Sequence, residues 1–270
     1  MRILLVTDTH GDLITLNDLA KANSTDAIIH AGDFGFYDDT SFNRLSNREL
    51  KLRIVHSALS RSEKQNLLSC NTVEKREFVR DHLPPSELPQ FLAGDRRFET
   101  PIYAVWGNHE DVEVVKKFYT GEYSIENLHI LHNQATFHVE NIHLFGLGGN
   151  FIVGQKLFQK PIAGKGGKIW SVFDQYLRLL EMIRNNAQDG EKRVLVSHVS
   201  PGKEPFITLM GIHTDSDLIV SGHMDPPLSM IWTDFAIRSQ KEAINRVQER
   251  LLDIKKIYDS SSKTEKPHRN

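Results

Sequence analysis

The sequence predicts an α/β fold interrupted by a mostly helical insertion. Short apolar runs recur along the chain, and five of them end in Asp, His or Asn, often beside Gly. Stretches with helical spacing or strong amphipathic charge lie between and after them. The length, 270 residues with 39% hydrophobic and 25% charged, suits one large domain or a domain carrying an inserted subdomain.

Ile3–Val6 is a continuous apolar run, as expected of a strand buried on both faces, and it ends in Thr7-Asp8-Thr9-His10-Gly11-Asp12. Leu13, Leu16, Leu19 and Ala20 then fall on one helical face. Ala27–Ala31 predicts a second strand, ending in Gly32-Asp33. From about Phe34 to Phe98 the strand rhythm stops. This stretch is rich in Arg, Lys, Glu, Ser and Leu, and Pro84, Pro85 and Pro89 break it. It is too long for a bare loop, so it predicts a mostly helical insertion at about residues 38–97. Residues 102–106 predict a third strand, ending in Gly107-Asn108-His109-Glu110. Residues 128–131, 135–139 and 142–147 have the short spacing of antiparallel strands. Residues 169–187 predict a long helix. Residues 193–196 lead to Ser197-His198, and residues 218–220 lead to Ser221-Gly222-His223. Residues 230–237 offer a last strand, and 238–258 a charged amphipathic helix. The domain is expected over residues 1–258, with 259–270 a disordered polar tail.

Ligand sites in α/β proteins lie beyond the carboxyl ends of the strands, so this pattern gathers its polar residues in one place. Carboxylates and neutral imidazoles suit Mn, Zn or Fe. Two such metals about 3.5–4 Å apart can clamp the attacking and leaving oxygens of a phosphoryl group. Asp8 and His10 are two residues apart, so on an extended segment both would point the same way. Asp33 ends the neighbouring strand and is placed to bridge. Asn108 offers an amide oxygen, and His198 and His223 end two further strands. Singly, an Asp-Xaa-His or a Gly-Asp is ordinary turn chemistry. Their ordered recurrence at five strand ends carries the reading.

The formal net charge of -2 supplies no global field toward nucleic acid or membrane, although a local basic patch is compatible with it. No run approaches the ~20 apolar residues of a membrane span. The single cysteine, Cys70, has no internal disulfide partner, which fits a reducing compartment. With no signal peptide in view, the expected location is cytoplasmic or nuclear. Oligomeric state is not legible.

In that order, Asp8-Thr9-His10, Gly32-Asp33, Gly107-Asn108-His109-Glu110, His198 and Gly222-His223 resemble the signature of calcineurin-like metallophosphoesterases. The resemblance runs from residue 3 to about residue 225 outside the insertion, and the layout is similar to fungal-type members with an extra region. It implies a four-layer α-β-β-α sandwich of two mixed sheets. It implies two divalent metals, Mn first, with Fe, Zn or Mg as alternatives. By the same resemblance Asp8 and His10 bind one metal, Asp33 bridges, and Asn108, His198 and His223 bind the other. The implied reaction is hydrolysis of a phosphate ester, in some cases nucleotide-like, with a phosphodiester ahead of a phosphomonoester. A metal-bound hydroxide attacks in line, Asp33 and His109 are the catalytic pair, and Asn108 and His109 touch substrate. His109 protonates the leaving oxygen or steadies the transition state.

One departure stands out. The family's last motif usually reads Gly-His-Xaa-His, whereas this chain has Gly222-His223-Met224-Asp225. Asp225 is either a charged oxygen ligand or a turn residue before Pro226. Phosphoprotein phosphatases follow Gly-Asp with Val-Asp-Arg-Gly; here Phe34-Gly35-Phe36-Tyr37 follows, which argues against that kind of phosphatase. These aromatic residues either stack on a substrate ring or anchor the insertion. Arg44, Arg48, Arg53, Arg61 and Lys64 read first as a solvated helical face. Their alternative is a cationic cap, which would suit a nuclease acting on RNA or DNA. A non-catalytic protein-binding scaffold on the same fold is the third reading. Residues 201–205 are expected at the rim of the site, and His213 in an exposed loop. The glycine- and lysine-rich residues 164–168 lack the spacing of a nucleotide phosphate loop.

Overall fold

The computed structural model describes residues 1–151, 163–164, 169–201, 203–223 and 240–260. In chain order its elements are β1 (Ile3–Val6), α1 (Ile14–Asn23), β2 (Ala27–Ala31), a 3-10 turn (Ser41–Asn43), α2 (Asn47–His56), α3 (Arg61–Ser69), α4 (Thr72–His82), α5 (Leu88–Leu92), β3 (Ile102–Val105), α6 (Val112–Thr120), β4 (Leu128–Ile130), β5 (Phe137–Val139), β6 (Ile142–Leu147), β7 (Asn150–Phe151), β8 (Ala163–Gly164), β9 (Ile169–Ser171), α7 (Phe173–Asn186), β10 (Lys192–Ser197), α8 (Pro205–His213), β11 (Leu218–Ser221) and α9 (Gln240–Ser260).

Two four-stranded sheets carry the fold. One has the order β1-β2-β3-β4 and is parallel throughout. The other has the order β11-β10-β6-β5 and is mixed, because β5 and β6 pair antiparallel. Successive side chains of a strand face opposite ways, so each apolar strand feeds two layers. Ala27, Ile29, Ala31, Tyr103 and Val105 meet Leu144, Val194, Val196 and Val220 between the sheets. On the outer face of the first sheet, Ile28 and Ala104 pack with Leu13, Leu16 and Ala20 beside α1 and with Val114, Val115 and Phe118 of α6. On the outer face of the second, Phe145, Leu147 and Leu195 pack with Tyr176, Leu179 and Ile183 of α7 and with Phe206, Ile207 and Met210 of α8. Three apolar layers thus separate four layers of structure, α-β-β-α. No helix among the described residues is long and apolar enough to cross a membrane.

Some details differ from the sequence expectation. β1 is the edge strand of its sheet and is not buried on both faces: Leu5 is 51% exposed. β4 belongs to the first sheet, parallel to β3, and not to a hairpin with β5. The long helix starts at Phe173, because residues 169–171 are pulled into a small sheet ordered β7-β9-β8. The Ile169 amide is held there by the Asn108 carbonyl at 3.0 Å. His213 ends α8 and is not in a loop. The strand expected at 230–237, Asp225, Lys165 to Lys168 and residues 261–270 lie outside the described residues.

Between β2 and β3 the chain is helical, and α2 to α4 build a core of their own. Tyr37, Leu45, Leu50, Ile54 and Val79 are buried together there. Capping boxes start α3 at Ser60 and Glu63, and α4 at Asn71 and Glu74. Buried Asp38 accepts hydrogen bonds from Lys117 (3.2 Å) and the Tyr123 hydroxyl (2.9 Å), and Arg44 pairs with Asp111 at 2.7 Å. Near its far end, Glu87 accepts the amides of Leu13 and Ile14, both at 2.8 Å. It thereby caps α1, which has no side-chain cap from its own sequence. Phe34 and Phe36 are buried in the main core and Tyr37 in the insertion's, so these rings anchor the insertion and are not free to stack on a ligand.

Candidate metal centre

The strand ends turn in a way that ordinary side chains resist. Asp8, His10, Asp33 and His223 have φ of 56°, 49°, 49° and 66°. This left-handed region costs an L-residue roughly 1–2 kcal/mol. Among the described residues eight non-glycine positions adopt it, and half of them are these candidate ligands. Backbone hydrogen bonds hold the strain: Asp8 N to Gly32 O (2.9 Å), His10 N to Asp33 O (2.8 Å) and Gly11 N to Phe34 O (3.0 Å). Asp8 and His10 therefore reach the site through a turn, and not as alternate residues of an extended strand.

Close approach also fixes the glycines. A Cβ on Gly107 would lie 1.8 Å from Asp33 Oδ1, and one on Gly222 would lie 1.8 Å from Thr7 Oγ1 and 2.7 Å from Asp8 Oδ2. Beneath them Glu110, fully buried, accepts the amides of Phe34 (2.8 Å), Gly35 (3.1 Å), Phe36 (2.6 Å) and Gly107 (3.2 Å). It ties the loop after β2 to the loop after β3. Burial, with Asp33 adding, pushes its pKa up to about 8 against the pull of those amides.

Asp8, Asp33 and His198 each offer a ligand atom, all within 4.8 Å of one another. His198 is buried, and its Nδ1 donates to the Ala31 carbonyl at 2.9 Å. That tautomer leaves Nε2 bare, the arrangement typical of a metal-binding histidine. Nε2 lies 2.7 Å from Asn108 Oδ1, 3.1 Å from His223 Nδ1 and 3.6 Å from Asp33 Oδ1. On the other side of Asp33, its Oδ2 is 3.9 Å from His10 Nε2. The His223 amide donates to Asp8 Oδ2 at 3.1 Å, and the Thr7 hydroxyl donates to the same oxygen. Burial lowers the pKa of His10, and it lowers that of His223 to about 4 with help from His198 and Lys203. Both rings are then neutral near pH 7, as coordination requires. Burial would raise Asp33, but His198 and His10 outweigh it and hold the carboxylate ionised. Among the described residues, no lysine or arginine pairs with Asp8 or Asp33. Oxygen and nitrogen lone pairs converge around Asp33 without a neutralising side chain. This donor set fits divalent cations.

Behind the ligands, the role of Glu49 is the one the sequence did not show. His109 donates its amide to Asp33 Oδ1 at 2.9 Å, and its Nδ1 meets both oxygens of Glu49, at 3.2 and 3.3 Å. Ser46 and Glu49 have the spacing of a capping box, and Ser46 does accept the Glu49 amide. Glu49 nevertheless sends its carboxylate to His109, unlike Glu63 and Glu74, which return theirs to the cap. The Glu49 hydrogen bond raises the pKa of His109 despite its burial. One turn further along α2, Arg53 Nη1 donates to the His10 carbonyl at 3.0 Å, and its guanidinium lies 5.3 Å from the Tyr37 ring centre. Lys203 Nζ donates to His223 Nε2 at 2.7 Å, so the segment after His198 does reach the rim. Of the cations first read as a solvated face, Arg44 is bound into Asp38 and Asp111, while Arg48 and Arg61 are exposed.

The chain belongs to the calcineurin-like phosphoesterase family, whose model matches residues 1–227. Membership implies metal-dependent hydrolysis of phosphoric esters, usually with two divalent metals. No curated protein matches the sequence. Among the solved structures that match, one crystal structure has 13% identity and a TM-score of 0.47, covering 82% of this chain and 83% of its own.

Proposed function

We propose that the protein is a phosphodiesterase working with two divalent metals, Mn first among them. The observation that supports this best is the convergence of Asp8, Asp33 and His198, extended by Asn108 and His223 on one side and His10 on the other. Asp8 and His10 would hold one metal, Asp33 would bridge, and Asn108, His198 and His223 would hold the other. Bound metals supply Lewis acidity and a water acidic enough to be a nucleophile near neutral pH. The chain's own residues do the rest. His109 is fixed at both ends, by Asp33 through its amide and by Glu49 through Nδ1, which leaves Nε2 for the substrate. It gives its proton to the leaving oxygen. Glu49 keeps that proton on the ring as pH rises. Asn108 and His109 lie at one strand end and touch the substrate phosphate.

The arginine-bearing motif of phosphoprotein phosphatases is replaced by the buried Phe34, Phe36 and Tyr37, which argues against that kind of monoesterase. Neither the nuclease reading nor the scaffold reading is favoured by a particular observation. The test pairs bis-nitrophenyl phosphate with nitrophenyl phosphate under added Mn. Diester turnover lost in both Asp33→Asn and His109→Ala is the expected result, with bound metal falling only in the first. Monoester preference would make the protein a phosphatase. No turnover with any metal, together with less than one metal per chain, would leave the scaffold.

A further inference from the structure

The inserted helix α2 lays one face over the candidate centre, since Glu49 and Arg53 are one turn apart and both contact it. The fate of Arg53 differs from that of its neighbours. Arg44 is neutralised by Asp38 and Asp111, and Arg76 donates to the carbonyls of Phe42 and Leu45. Arg53 has no carboxylate partner among the described residues, and its one hydrogen bond there is Nη1 to the His10 carbonyl. A guanidinium has five N–H donors in a fixed fork, so most of its capacity is unspent. Its stem and plane are held half-buried over the Tyr37 ring, and Tyr37 is itself tied to the His109 carbonyl at 2.6 Å.

With divalent cations bound at the neighbouring ligands, this becomes a costly place for a further cation. The Arg53 guanidinium is tied to the His10 carbonyl and stands beside the residues that would gather those cations. Like charges brought together without a counter-ion repel one another. The arrangement becomes favourable once an anion with several oxygens enters. A phosphoryl group matches the fork and can also face metals.

Resting on the function proposed above, we infer that Arg53 is a substrate-binding residue that grips non-bridging oxygens of a phosphoryl group, so that the insertion completes the phosphate site and sets specificity. The phosphoryl group is either the scissile one or a second one on the same substrate. Binding is measured by calorimetry on the full chain, with Mg in excess, using inorganic phosphate and inorganic pyrophosphate. Arg53→Ala and Arg53→Lys are compared with the parent, and thermal melting and metal content are followed in each. Arg53→Ala is expected to weaken binding about tenfold or more with metal content and melting unchanged, while Arg53→Lys keeps part of the affinity. Loss confined to pyrophosphate assigns Arg53 to a second phosphate, and loss with both assigns it to the scissile one. Equal affinity of parent and Arg53→Ala for both anions, or no binding by the parent, overturns the inference. The nitrophenyl assays report separately on the hydrolase reading, so a parent that turns over diester while Arg53→Ala binds phosphate normally defeats this inference alone.

Discussion

Asp33 accepts the His109 amide, lies between His198 and His10, and sits in a left-handed turn that another residue would adopt only under the same constraint. Its neighbour His109 takes its character from Glu49, twelve positions before the start of the next helix and sixty residues away in the chain. The effect on pH dependence has a definite sign. Glu49 raises the pKa of His109, so the protonated ring persists to higher pH, and activity that needs this proton falls as pH rises through that value. Glu49→Gln should move the alkaline limb of the kcat profile to lower pH and reduce kcat more than it changes KM, by about tenfold at neutral pH. A profile that keeps its alkaline limb would mean that His109 is not the acid.

At the scale of elements, long polar side chains join parts that are distant in sequence. Glu110 gathers four amides from two loops, Glu87 caps α1, and Asp38 fastens the insertion to α6 and the chain beyond it. Glu191 does the same for the second sheet. It accepts from His138 (3.0 Å) on β5, His143 (3.2 Å) on β6 and Arg193 (2.9 Å) on β10. Burial raises its pKa, but the bonds from Arg193, His138, the Gln188 amide and His143 outweigh it and bring it down to about 2. A depressed folded pKa contributes stability above the unfolded value of 4.5, and that contribution is lost as pH falls from there toward about 2. In urea unfolding, Glu191→Gln should be less stable than the parent by about 1–3 kcal/mol at pH 7, with the gap closing between pH 4.5 and 2. A gap that does not change with pH would show that charge on Glu191 is not what stabilises the sheet.

For the whole molecule, the same geometry predicts linkage between metal and folding. Asp8 and Asp33 place two carboxylates within 4.8 Å of each other and of His198, with no lysine or arginine pairing with either carboxylate among the described residues. Bound cations would relieve that repulsion and favour the folded chain over the unfolded one. Mn at about a hundred times its Kd should add about 2.7 kcal/mol to unfolding free energy, and a chelator should remove it. Melting curves with and without metal check this. Asp33→Asn should lose most of the metal-induced rise, and an equal rise in that variant would place the metal elsewhere.

Local pattern is enough for the parts of the fold that short stretches of chain specify. Apolar runs ending in Asp8, Asp33, Asn108, His198 and His223 marked the strands and the polar rim beyond them, because burial selects apolar strands and a strand's carboxyl end is where a ligand can enter. The lack of strand signal from about Phe34 and the prolines near residue 85 likewise marked a helical insertion. Which strands share a sheet is set by packing across the chain, since β4 and β5 carry similar short apolar signals yet pair in different sheets. Packing alone decides that Asp8 and His10 turn through left-handed backbone, that Glu110 is a structural hub, that Glu49 reaches the site, and that Arg53 does so among the insertion's cations. Those roles have no local signature. A glutamate at the third position of a helix looks the same in sequence whether it closes its own cap or crosses to a histidine sixty residues on, and only packing between distant segments chooses.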